Sequence, residues 1–235
     1  MLTIADYLKG NPYPGRGVML GLTPNGQEAV LAYFIMGRSE NSRNRVFVEE
    51  GCDLRTAAQD PAKLGDPALI IYRPLRVYAN HTIITNGDQT DTVFAALSRQ
   101  VSFEEALRTR GYEPDAPHFT PRVSGLLSIA EGRLQYKLSL IKKGSEQDTL
   151  RFFYEYAEAQ PGEAHLLHTY LGDGSPLPSF AGDPIRVPTR DDLAAFTQEL
   201  WAALDADNRV ALHVRYIDLK DYQVIHSRTL DRFHN

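Results

Sequence analysis

Apolar positions gather first in two runs, GVMLGLT at 17–23 and EAVLAYFIMG at 28–37. They flank PNGQ, whose Asn25-Gly26 pair is a strong hairpin signal, so two antiparallel strands are expected here. Shorter apolar runs predict strands at 46–49 (VFVE), 68–78 (ALIIYRPLRVY) and 81–85 (HTIIT). A polar connection rich in Ala and Asp precedes the second of these and reaches Asp66. The pattern then changes. TDTVFAALSRQ (90–100) and FEEALRTRG (103–111) predict helices, the second with a capping box from Ser102 and Glu105 and a stop at Gly111. Strands resume at 122–130, 134–142, 150–157 and 163–171, and a Gly/Pro/Ser loop takes 172–188. DDLAAFTQELWAALD (191–205) is the clearest helix, with Leu193, Phe196, Leu200 and Leu204 on one face and Thr189 as its cap. Strands at 209–219 and 223–230 close the chain.

This order does not alternate as βαβα, which argues against a doubly wound parallel sheet. An α+β fold of largely antiparallel sheets, with helices packed on outer faces, fits better. No internal repeat or low-complexity tract interrupts it.

Composition narrows the function. A chain of 235 residues with 43% hydrophobic content fits one domain, at most two, and buries a core without staples. A single cysteine, Cys52, excludes an internal disulfide and any Cys-rich metal site, and suits a reducing cytosol. The start, MLTIADYLKGNPYPGRG, lacks the basic and apolar regions of a signal peptide. No apolar stretch reaches the roughly 18 residues of a membrane span. A cytoplasmic location without membrane association is therefore expected. The net charge of −5 argues against a general nucleic-acid binder but allows a small anionic ligand held locally.

One stretch runs against that acidic balance. In GRSENSRNRVF (37–47), Arg38, Arg43 and Arg45 stand with Ser39, Asn41 and Asn44, offset by Glu40 alone. The segment from Arg38 to Arg45 carries about +2 by side-chain count. Guanidinium forks and amide donors at a strand end can hold phosphate or carboxylate bidentately. A solvated polar loop has the same composition. ITNGDQTDTV (84–93) is a second candidate, where Asn86, Gly87, Asp88, Thr90 and Asp91 make a tight turn into a helix. Its backbone N–H groups can bind an anion or a polar ring edge; simple helix capping by Thr90 or Asp91 explains the same residues. GYEPDAPHFTPR (111–122) is a third, a proline-stiffened loop with Glu113, Asp115, His118, Thr120 and Arg122, able to position a general acid/base or merely to connect. HTYLGDGSPLPSFAGDP (168–184) could cover a pocket or be a plain surface loop. His165 and His168 lie three apart on a predicted strand and so face opposite sides. No other cluster has metal spacing, so neither a metal nor a cofactor is expected, and there is no P-loop, no G-x-G-x-x-G and no G-x-S-x-G.

Taken in order, PGRGVMLG, RSENSRNR, ALIIYRPLRV, TNGDQTDTV and YEPDAPHFTPR resemble the archaeal-type IMP cyclohydrolase family. The resemblance lies between residues 15 and 123; beyond it, only the order of strands and helices matches. It implies closure of 5-formamidoimidazole-4-carboxamide ribonucleotide to inosine monophosphate (IMP) and water, the last ring of de novo purine synthesis. It implies a fold similar to the four-layer αββα sandwich of N-terminal-nucleophile hydrolases, here as one domain over 1–235 with a short N-terminal extension, 1–14. It implies catalytic roles for Arg45, Tyr72 (on the fourth strand), Glu113 and Arg122. Arg38, Ser39, Asn41, Arg43, Asn44, Asn86, Gly87, Asp88, Thr90 and Asp91 are then the expected substrate-binding residues. The ligand is a small purine ribonucleotide, and the sequence leaves a homo-oligomer open.

This chain departs from the family pattern in its residues ahead of GRG and in a loop from Glu113 to Arg122 one residue longer, which leaves His118 without a counterpart. A start at MLT also argues against an autocatalytically exposed nucleophile. Two other functions stay open: a purine-nucleotide-binding module without catalysis, and an amide hydrolase on the same fold.

Overall fold

The computed structural model describes residues 1–64, 70–146, 148–222 and 224–234. Two sheets are built from thirteen strands among the described residues, and every named strand pair is antiparallel. β1 (Arg16–Leu22) and β2 (Glu28–Met36) form the expected hairpin, with Gly26 in the left-handed region at φ 71°. They sit at the centre of the first sheet, flanked by β10 (Glu163–His168) and β11 (Ile185–Pro188) on one side and β12 (Arg209–Asp218) and β13 (Val224–Asp231) on the other. The second sheet runs β3 (Val46–Glu50), β4 (Asp53–Ala57), β5 (Leu75–Tyr78), β6 (His81–Thr85), β7 (Arg122–Ala130), β8 (Arg133–Lys143), β9 (Thr149–Tyr156). The α+β class with antiparallel sheets is as expected.

β1 and β2 are buried along nearly their whole length, so both faces have work to do. Val18, Leu20, Leu31, Tyr33 and Ile35 join Leu75, Ile84, Val123, Leu127 and Leu138 of the second sheet in one core. On the opposite face, Met19, Val30, Ala32 and Phe34 pack with α1 (Ile4–Leu8) and α5 (Leu193–Ala203), through Ile4, Leu8, Phe196, Leu200 and Trp201. A third cluster joins Ile83, Leu126 and Ile141 to α3 (Gln89–Leu97) and α4 (Phe103–Arg108). Each fully buried Leu or Phe in these cores contributes about 1.5–3 kcal/mol relative to exposure.

Several elements differ from expectation, each for a local reason. The polar stretch before Asp66 hides β4, because only Leu54 and Thr56 of its five residues turn inward. The strand expected over 68–78 is confined to Leu75–Tyr78 among the described residues, its start lying partly outside them. Tyr72 therefore lies in an irregular segment rather than on a strand. Pro74, which has no N–H, follows close behind it, and Thr56 fixes its backbone through Oγ1 and N. The arginine-rich loop contains a one-turn helix, α2 (Glu40–Arg43), where Ser39 and Ser42 form a capping box. The loop at 172–188 ends in β11. Asp192, not Thr189, caps α5: its Oδ1 accepts from Ala195 N, while Thr189 Oγ1 donates to Leu22 O. Asp88 precedes α3 without a side-chain capping bond, so neither Thr90 nor Asp91 is its cap. α4 keeps its predicted capping box but stops at Arg108, before Gly111.

Candidate active site

Four strand ends meet at one end of the core between the sheets. β1 starts at Arg16, β2 ends at Met36, β6 ends at Thr85 and β7 starts at Arg122. The arginine-rich loop, the Asn86-Gly87 turn and the proline-stiffened loop all leave from these ends. A cleft of about 320 Å³ lies among them. Its walls include Tyr13, Arg16, Arg38, Ser39, Asn41, Arg45, Ile70, Glu113, Asp115, His118, Thr120, Tyr170 and Leu177.

Arg45 is the unusual cation. It is 4% exposed, and its Nε donates to Ser42 O at 2.8 Å. Among the described residues no carboxylate pairs with it. Burial lowers its pKa; the Tyr72 phenol opposes this and the Arg16 guanidinium adds to it. A buried cation without a counter-charge is costly, and an anionic ligand in the cleft would relieve that cost.

Arg16 has the opposite setting. Its Nη1 donates to Asn86 O at 2.6 Å and stands 3.6 Å from Glu113 Oε1. Burial pulls its pKa down, but Glu113 and then the phenols of Tyr72, Tyr33 and Tyr170 carry it above the ordinary value. Glu113 lies between two guanidinium groups, 3.6 Å from Arg16 Nη1 and 3.8 Å from Arg122 Nη1. Both are ion-pair distances, too long for hydrogen bonds. The carboxylate is thus fixed in place electrostatically while keeping lone pairs for a ligand.

Arg122 itself does not line the cleft. Its Nη1 donates to Asp88 Oδ1 and Gln89 Oε1, both at 2.7 Å, and its Nε donates to Gly111 O at 3.0 Å. It braces Glu113 from behind. Gly87 makes room for this, since a Cβ there would lie 2.8 Å from Gln89 Oε1, 3.0 Å from Arg122 Nη1 and 3.2 Å from Glu113 Oε1.

The remaining expected residues divide. Arg38, Ser39 and Asn41 line the cleft with Arg45. Arg43 and Asn44 do not. Arg43 donates to Gly37 O and Asn208 Oδ1, and Asn44 exchanges two hydrogen bonds with the Asp60 backbone, so both staple the loop. Asn86 is satisfied by Pro121 O, Val123 N and Gln89, and Thr90 by Thr85 and Gly87 O. Asp88 is shared between Arg110 and Arg122, which hold it below the usual carboxylate range against the effect of burial. Asp91 pairs with Arg76. The turn therefore supports the cleft instead of lining it. Tyr72 stands just behind the wall, its hydroxyl 2.8 Å from that of Tyr33.

Arg38 and His118 tie the Gly/Pro loop across the mouth. Arg38 pairs with Asp173 and donates to Gly174 O at 3.2 Å, and His118 Nδ1 accepts from Leu177 N at 3.1 Å. Arg38 also lies over the Tyr13 ring, 4.8 Å from its centroid, and Tyr13 stacks on Tyr170. Thr120 joins Asp115 to the Tyr170 hydroxyl. His165 and His168 do face opposite ways, toward Tyr136 and Tyr7.

A family model described as "IMP cyclohydrolase-like protein" matches residues 13–221 of the 235. The chain belongs to that family. The IMP cyclohydrolase of Methanopyrus kandleri is 27% identical to it over 170 residues, which cover 71% of this chain and 79% of that protein. The family match runs well past residue 123, where the ordered motifs end, and takes in the cleft from Tyr13 through Leu177. No helix among the described residues is long and apolar enough to cross a membrane.

Proposed function

We propose that this member of the IMP cyclohydrolase-like family closes 5-formamidoimidazole-4-carboxamide ribonucleotide to IMP and water. Arg45 carries the reading: a buried guanidinium without a carboxylate partner among the described residues, in the same cleft as a braced glutamate. The carboxamide nitrogen attacks the formyl carbon, and the C=O electron pair moves to oxygen. The attacking nitrogen gives up one proton and the formamide nitrogen the other; the oxygen leaves with both as water. Attack is intramolecular, so the enzyme's task is to hold two groups close and coplanar. Glu113 moves the protons, since its carboxylate is fixed by Arg16 and Arg122 yet free to accept one. Tyr72, beside Arg16 and Arg45, supplies a donor to the formyl oxygen as it gains charge. Arg45 with Arg38, Ser39 and Asn41 takes the 5′-phosphate. Arg122, Asn86, Gly87, Asp88 and Thr90 hold this arrangement in place.

Three cores alternating with two sheets support an αββα stack like that of the N-terminal-nucleophile hydrolases, with α1 and α5 outside one sheet and α3 and α4 outside the other. We read 1–235 as one domain whose 1–14 extension is part of it. Tyr7 bonds His168 at 2.7 Å and Asn11 donates to Tyr170 O. A cytoplasmic enzyme, open to homo-oligomer formation, agrees with this chemistry.

A spectrophotometric assay of ring closure on the formylated precursor tests the reading. Conversion to IMP is expected; binding of IMP without any turnover would leave only a nucleotide-binding module. Two further results are expected in the same assay. Gly87→Ala should lower kcat/KM, by at most about 10²-fold, because the new methyl crowds Gln89, Arg122 and Glu113 and shifts the bracing of the glutamate. Unchanged turnover in Gly87→Ala would mean that the bracing does not matter. Activity should also survive exhaustive chelation, since no three His, Cys, Asp or Glu side chains gather at ligand distance among the described residues. Loss on chelation, restored by one divalent ion, would redirect attention to Asp88, Asp91 and Glu113.

A further inference from the structure

The two phenols behind the cleft are not equivalent. Tyr33 lies on β2 within the core between the sheets and is 0% exposed, while Tyr72 keeps 9% of its surface open. Their hydroxyl oxygens are 2.8 Å apart. Among the described residues this is the one hydrogen bond Tyr33 makes through its side chain, and its ring otherwise meets Phe47. Geometry alone lets either hydroxyl donate, and the deeper burial of Tyr33 favours it as the donor. If Tyr72 donated, the Tyr33 proton would be buried with no acceptor among the described residues, the costly case for a polar group. If Tyr33 donates, its proton is satisfied and the Tyr72 proton is released. Arg16 and Arg45, which line the cleft, stand near both phenols, so the Tyr72 proton is then the one left to a ligand held between them.

We propose that Tyr33 is a positioning residue for ring closure. By donating its hydroxyl proton to Tyr72 Oη, it holds the Tyr72 proton available to the formyl oxygen of the substrate. This rests on the ring-closing reading above and adds to it a residue that never meets the substrate. No proton leaves Tyr33 in the reaction; it sets a polarity. Burial holds its own phenol well above the ordinary pKa, with Tyr72 adding to the rise, so it remains a neutral donor across the working range. The hydrogen-bonded pair also accounts for a hydroxyl at a position where β2 otherwise places Leu31 and Ile35 into the same core.

The test is a double-mutant cycle of Tyr33→Phe and Tyr72→Phe, each removing one oxygen without changing the ring. Ring closure, IMP affinity by calorimetry and melting temperature are measured for all four proteins. Tyr33→Phe is expected to lower kcat about tenfold, the scale of one net hydrogen bond, with KM and IMP affinity near those of the unmodified protein. In the Tyr72→Phe background it should cost nothing further in kcat, because its effect passes through the Tyr72 hydroxyl. A merely structural role would lower the melting temperature and multiply the loss in both backgrounds; that result overturns the proposal, as does full activity of Tyr33→Phe. Turnover by the unmodified protein with an indifferent Tyr33→Phe removes only the positioning role, whereas absence of turnover in the unmodified protein removes the ring-closing reading and this role together.

Discussion

Glu113→Gln is expected to lower kcat for ring closure by about 10²–10⁴-fold while KM changes by less than a factor of about three. The substitution keeps the length and planarity of the side chain. It keeps an oxygen to face Arg16 and Arg122 at the same 3.6 and 3.8 Å. What it loses is the ability to take and return a proton. The large effect follows from the surroundings as much as from the residue. Asp115, also in the cleft, accepts from Thr120 N at 2.7 Å and bonds Thr120 Oγ1, so it is already engaged and poorly placed to substitute. His118 spends Nδ1 on Leu177 N. Steady-state kinetics and IMP binding on the same preparation separate the two parameters. A Gln variant that turns over at the normal rate would remove Glu113 from proton transfer and leave it as a counter-ion for Arg16.

That Glu113 belongs to a cleft-lining loop is legible in the sequence. It sits in a loop, and loop chemistry is written in residue types that a core does not tolerate: Glu113, Asp115, His118 and Arg122 stand among prolines. The same holds for Arg38, Ser39, Asn41 and Arg45. What the sequence could not separate is which members of a polar loop face the cleft. Arg43 and Arg45 are two residues apart and equally basic, yet one staples the loop to Gly37 and Asn208 and the other is buried in the wall. The difference comes from the single turn of α2, which a polar segment of four residues does not announce by periodicity.

Residues carried by strands were harder still. Tyr33 is one letter within AVLAYFIM, and apolar continuity reads it as core. Its hydroxyl finds a partner only because Tyr72, brought in from an irregular segment, meets it. Arg16 lies inside the motif PGRGVMLG, where nothing marks it as a site residue, since a lone arginine at a strand start is ordinarily a surface charge. Only the meeting of β1 with the Asn86 turn makes it a partner of Glu113. The turn shows the converse. Asn86, Asp88, Thr90 and Asp91 looked like donors and acceptors for a ligand, but their hydrogen bonds are used within the protein. Sequence shows that polar groups are present; it does not show which are already satisfied.

Arg45→Ala should weaken IMP and substrate binding by about 1.5–3 kcal/mol, the range for one charge-assisted hydrogen bond, or about 10–150-fold in Kd. The loss should vanish for inosine, which lacks the phosphate. Stability should move the other way. Ligand-free, Arg45 is a buried cation whose pKa burial already lowers and which pairs with no described carboxylate. Removing it relieves that penalty, so the melting temperature without ligand should hold or rise. Arg45→Lys should recover only part of the affinity, because an ammonium lacks the planar fork that grips two phosphate oxygens. Calorimetry with IMP and inosine, alongside thermal melts, reads all of this on one set of proteins. Equal weakening for IMP and inosine would move Arg45 from the phosphate to the base or the ribose. A marked fall in melting temperature with unchanged affinity would make it a structural residue, paired with a group the cleft does not contain.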